Sequence, residues 1–127
     1  PPPVYSVYLP TLPEGVSDGD LTLVALPNRQ QSVYAAQTRL VLEVMEPDTD
    51  VTLAETEAVQ TDSLEIAAYV FAEGDIDYGD LPAAVRQGMA HPNSGDQVLE
   101  WEADGRFYRL FGAYALETLL AVAADVA

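Results

Sequence analysis

Apolar and polar positions divide this chain into short extended segments, followed by one stretch of helical spacing at its end. Val4-Tyr5-Ser6-Val7-Tyr8-Leu9 gathers β-branched and aromatic residues between prolines on both sides. It predicts a short edge strand, because proline cannot donate to a central ladder. From Pro10 to Asp20, proline, glycine, serine and aspartate accumulate as they do in loops. Leu21 to Leu26 is apolar except for Thr22 and is ended by Pro27-Asn28, the pattern of a buried strand.

The stretch from Gln30 to Met45 carries two periods at once. Val33, Ala36, Leu40, Val41 and Val44 fit a helix, whereas Leu40, Leu42 and Val44 alternate with Arg39, Val41 and Glu43 as in a strand. We favour a strand from Thr38 to Met45 that turns through Glu46-Pro47-Asp48-Thr49-Asp50 and back onto Val51 to Gln60. Leu64 to Phe71, with Ile66, Tyr69, Val70 and Phe71, reads as another buried strand. A short helix is expected over Leu81 to Gln87. Asp80 would be its N-cap, Pro82 lies in its first turn, and the acids from Glu73 to Asp80 sit at its positive end.

Val98 to Leu110 carries the clearest supersecondary signal. Asp104-Gly105 stands between two alternating arms, as a tight hairpin requires, and Glu100 and Glu102 are placed to pair with Arg106 or Arg109 across an exposed face. Exposed pairs contribute only a few tenths of a kcal/mol each, so Leu99, Trp101, Phe107 and Leu110 must pack on something. The last helix is the candidate. From Tyr114 to Ala127, Leu116, Leu119, Leu120, Ala123 and Val126 form a stripe at helical spacing with few charges, which places the helix on its own sheet or against a neighbour.

These elements predict one α+β domain over residues 1–127: mainly an antiparallel sheet with the C-terminal helix packed on it and one short additional helix. A β-sandwich with an appended helix is the alternative. The length and a 49% hydrophobic content suit a single core without metals or cross-links.

Charge narrows the partners. The chain has 21 carboxylates against 5 basic groups, all of them arginine, for a net charge of −16. Such a field opposes phosphate backbones and anionic bilayers, so neither nucleic acid nor a membrane is an expected partner. It fits a salt-adapted surface, a face that meets a basic protein or mimics nucleic acid, or a solubilising excess. Pro1-Pro2-Pro3-Val4 lacks the features of a signal peptide, and no apolar run approaches the ~20 residues of a membrane span, so a soluble chain is expected, cytoplasmic or in a virion.

Candidate chemistry is sparse. There is no cysteine, which removes thiolate nucleophiles and disulfides, and His91 is the single histidine. No serine stands in a Gly-x-Ser-x-Gly turn, and no glycine fingerprint for phosphate occurs. Glu46, Asp48, Asp50, Thr52 and Glu57 match calcium-loop offsets, but Pro47 and Val51 stand where that loop must be flexible and must turn on glycine. Glu73, Asp75 and Asp77 alternate similarly, with Ala84 in the closing position. Both sets read as solvated turn acids, and the sequence predicts no catalytic residue, cofactor or metal.

The expected function is that of a non-enzymatic structural or assembly protein whose partners are protein subunits, self or heterologous, in an oligomer or larger assembly. Small virion or phage structural proteins fit this description. The contacts are expected from Val4, Tyr5, Val7 and Tyr8 on the first strand and from Leu116 and Leu120 on the last helix. The alternative is an acidic interaction module, or nucleic-acid mimic, that binds a basic partner. A small enzyme would need a pocket joining His91 to Asp75 and Asp77.

Overall fold

The computed structural model describes residues 9–17, 19, 21–26, 29–34, 40–45, 58–60, 64–72 and 90–126. Among these residues seven strands, all paired antiparallel, make one sheet: β1 (Leu21–Leu26), β2 (Arg29–Tyr34), β3 (Leu40–Met45), β4 (Ala58–Gln60), β5 (Glu65–Val70), β6 (Gln97–Ala103) and β7 (Arg106–Gly112). One helix among them, α1 (Leu116–Ala124), follows. The spatial order is β1-β2-β3-β7-β6-β5-β4. Two meanders, β1 to β3 and β4 to β7, are therefore stitched together where β3 meets β7.

This α+β arrangement agrees with the expected class, and the described strands form one sheet, not the two of the sandwich alternative. The short helix expected over Leu81 to Gln87 and the strand expected from Val4 to Tyr8 lie outside the described residues. One strand expectation needs correction, and one open segment is resolved. β3 does not turn back onto the following segment but pairs with β2 and β7. Neighbouring β2, Arg29–Tyr34, is a strand whose polar sequence RQQSVY hides any alternation.

The hairpin is as the sequence dictates. Asp104 and Gly105 both take positive φ, 53° and 73°, the backbone of a type I′ turn whose twist matches the flanking strands. Position 105 favours glycine because a Cβ there would sit in the left-handed region. Before β6, the amide of Asp96 donates to the carbonyl of Asn93 at 2.9 Å, with Gly95 at φ 92° in the third position as a type II turn requires. The buried Asp96 side chain accepts from the Asn93 amide at 2.8 Å, and Phe71 N–H donates to the Asp96 carbonyl, extending the β5–β6 ladder.

One face of the sheet carries the main core. Leu40, Leu42 and Val44 of β3, Tyr108 and Leu110 of β7, Leu99 and Trp101 of β6 and Ile66 of β5 pack with Leu119, Val122 and Ala123 of α1. The helix spends its stripe on its own sheet, contacting β6 and β7. It runs Leu116–Ala124, shorter than the Tyr114 to Ala127 stretch that its apolar pattern suggested. Ala115 at its N-cap gives no side-chain hydrogen bond, so packing rather than capping holds the element. Leu9, Leu12 and Val16 of the preceding loop join the same cluster, and the Thr11 hydroxyl donates to the Asp125 carboxylate at the helix C-terminus.

Every residue of β3 is buried, so its alternation does not separate a wet face from a dry one. On the sheet face opposite the helix, Val41 packs with Val98 and Phe111, against Tyr69, Phe71 and Ala90. Between these apolar neighbours lies the polar constellation described next.

Candidate functional site

Strand pairing brings three charged residues into one row. Glu43 on β3 and Glu100 on β6 are both register partners of Arg109 on the intervening β7. The Arg109 Nε donates to Glu100 Oε2 at 2.7 Å, and its Nη1 donates to Glu43 Oε1 at 3.1 Å. The Tyr69 hydroxyl on β5 donates to the same Glu100 oxygen at 2.9 Å. Four adjacent strands thus contribute to one hydrogen-bonded row on the face away from the helix.

The row is buried: Glu43 is 0%, Glu100 2% and Arg109 3% exposed. This corrects the expectation of an exposed Glu100–Arg109 pair. Of the two arginines open to Glu100, Arg109 is the register partner, and the face is covered. Glu102 is exposed, as that expectation requires, yet its register partner is Phe107 and not an arginine. The Arg109 guanidinium also lies 5.5 Å from the centroid of the Phe107 ring, two residues before it on the same strand face.

Burial alone would disfavour a charged guanidinium, but the fields of Glu43 and Glu100 and the hydrogen bond to Glu100 outweigh it and raise the Arg109 pKa above its ordinary value. Arg109 holds its proton at any working pH and serves as a fixed cation with a planar donor fork, not as an acid or base. What the arrangement does chemically is cross-brace strands.

The other candidate residues are dispersed. Leu116 and Leu120 are half-buried and pack on the main core, so part of each side chain is spent within the molecule. Val4, Tyr5, Val7 and Tyr8 lie outside the described residues, as do Asp75, Asp77 and both acidic loop candidates. His91 is half-buried in the segment before β6. Among the described residues no group of three His, Cys, Asp or Glu side chains is arranged to hold a metal, and no helix is long and apolar enough to cross a membrane.

An apolar side chain that the expected contacts did not include stands out at the β1 end. Following the register, Leu23 shares a row with Ser32, Leu42, Leu110, Leu99 and Ala68, the row that α1 covers over β6 and β7. Leu23 is 52% exposed. Among the described strands β1 ends the order, and Leu23 departs from the buried strand that the continuous apolar run suggested. Val70, 62% exposed on β5, lies beyond the three residues at which β4 pairs with that strand.

Neither a family model, a curated protein nor a solved structure matches this chain.

Proposed function

We propose that this protein is a non-enzymatic structural or assembly subunit, built to contact other protein subunits in an oligomer or larger assembly of the kind small virion and phage structural proteins form. The observation that carries the reading is Leu23, a large apolar side chain half-exposed in the middle of the end strand, on the helix-bearing face. Among the described residues nothing pairs with the outer edge of β1, and an end strand offers such backbone donors and acceptors to a neighbouring chain, an edge that soluble proteins ordinarily blunt with charge or proline. β1, LTLVAL, carries neither within its span. The half-buried Leu116 and Leu120 give the same face further apolar surface.

The exposed acids among the described residues favour this reading over an acidic module for a basic partner. Exposed Glu65 and Glu102 lie on strands, Asp104 in the hairpin turn, and Glu117 and Asp125 on or beside α1. Among the described residues the charge is spread around the molecule instead of focused on one face, as steering toward a single basic partner would require.

The test is the native mass of the protein and of its Leu23→Lys variant across a concentration series. The variant should dissociate at concentrations where the parent is assembled. Identical masses at every concentration would overturn the role of β1.

A further inference from the structure

We infer that the Glu43–Arg109–Glu100 row selects the register of the seam between β3 and β7, acting as a specificity device in the fold. The two sides of β7 are held by different means. Toward β6, the two-residue turn at Asp104 and Gly105 fixes the pairing locally. Toward β3, the residues brought together are 66 positions apart in sequence, and no turn dictates how they align.

The apolar pattern does not dictate it either. On the helix side Leu40, Leu42 and Val44 face Gly112, Leu110 and Tyr108, and a slip of two residues sets apolar against apolar or glycine at every pair within the two strands except one, Val44 against the half-buried Arg106 at the end of β7 in one of the two directions. A slip of one residue would turn the whole set to the wrong face, so two-residue slips are the competing states. On the opposite face those slips are not equivalent. They place Arg109 against Val41 or Met45, and Glu43 against Phe107 or Phe111, instead of against each other. Each slip leaves a buried carboxylate facing an aromatic ring and removes one of the two carboxylates from the guanidinium. Buried ion pairs are weak sources of net stability, because desolvation offsets their attraction, but they penalise misalignment strongly. A single charged row in an otherwise degenerate seam is the arrangement that excludes the slipped states.

The experiment is NMR of the isotope-labelled full chain, reading cross-strand contacts between β3 and β7. In the triple variant Glu43→Leu, Glu100→Leu, Arg109→Met, we expect a folded protein with more than one set of β3 and β7 amide signals. Contacts should run from position 43 to positions 107 or 111 as well as to 109. A single set with only the native pairing would overturn the proposal. A second variant moves the acid by one pleat, Val41→Glu with Glu43→Val. The pairing should follow the charge, so that position 41 faces Arg109 and the seam shifts by two residues. A folded second variant that keeps position 43 opposite Arg109 would also overturn it. Loss of folding in both variants would show that the row supports the fold instead of choosing among registers, and the inference would fail.

Discussion

Trp101 on β6 and Tyr108 on β7 are register partners whose rings stack, with centroids 5.2 Å apart and planes 3° from parallel. The pair lies in the main core, within the sheet face covered by α1. It joins the hairpin, the best-defined local element, to the long-range core. Trp101→Ala should cost about 3–5 kcal/mol, the usual penalty for truncating a buried aromatic. Urea unfolding followed by circular dichroism measures it, and a loss below about 1 kcal/mol would contradict the packing described. Because Trp101 is the only tryptophan and is 1% exposed, its fluorescence should be blue-shifted and poorly quenched by acrylamide in the native protein.

Removing Arg109 alone leaves two buried carboxylates facing each other across the vacated row. Arg109→Met should destabilise by about 3–5 kcal/mol, the range for breaking a buried pair by deleting one partner. A raised folded-state pKa stabilises the fold at every pH below the unfolded arginine value, and that stabilisation is lost only as pH rises through the still higher folded value. The stability gap between parent and Arg109→Met should therefore stay constant from about pH 8 to pH 11. Denaturant titrations across that range check it, and a gap that closes within it would show that Arg109 loses its proton there.

In the hairpin turn, Gly105→Ala should cost about 1 kcal/mol, because it places a Cβ in the left-handed region, whereas the space around the site is open. Asp104→Asn should be nearly neutral, since asparagine also tolerates that region and suits a type I′ turn. Thermal unfolding of the two variants separates backbone strain from crowding. Equal losses in both would place the cost elsewhere.

Asp125 sits at the C-terminal end of α1, where the helix dipole disfavours a negative charge, and it accepts from Thr11. Asp125→Asn keeps an acceptor for the hydroxyl and removes the charge. It should stabilise by about 0.3–1 kcal/mol at low ionic strength, with the gain shrinking as salt is added. Thermal melts at two salt concentrations measure it, and a clear loss of stability would mean that the Thr11 contact requires the carboxylate.

How much of this was legible in the sequence depends on how local the signal was. Asp104-Gly105 fixed its hairpin, and the spacing of Leu116, Leu119, Leu120 and Ala123 fixed the helix and its inward face, because both follow from a few adjacent residues. The Glu100–Arg109 register followed from the same turn. Its burial did not, since that depends on Glu43, which is brought to Arg109 only by the closure of two separate meanders. β2 escaped notice because Arg29, Gln30, Gln31 and Ser32 carry no apolar period. The exposure of Leu23 on β1 was not legible because an apolar run reads alike at a sheet's centre and at its end. Leu23 was missed as a contact residue for that reason: exposure at an end strand is a property of sheet order, which no local pattern encodes.

Absolute molar mass by light scattering, in dilute buffer and again in molar salt, tests the assembly reading most directly. Salt screens the repulsion among chains of net charge −16 while leaving buried apolar contacts intact. The account predicts a defined oligomer that persists or grows as salt is added. A monomer at both salt concentrations would contradict it and leave an acidic module awaiting a basic partner as the better description.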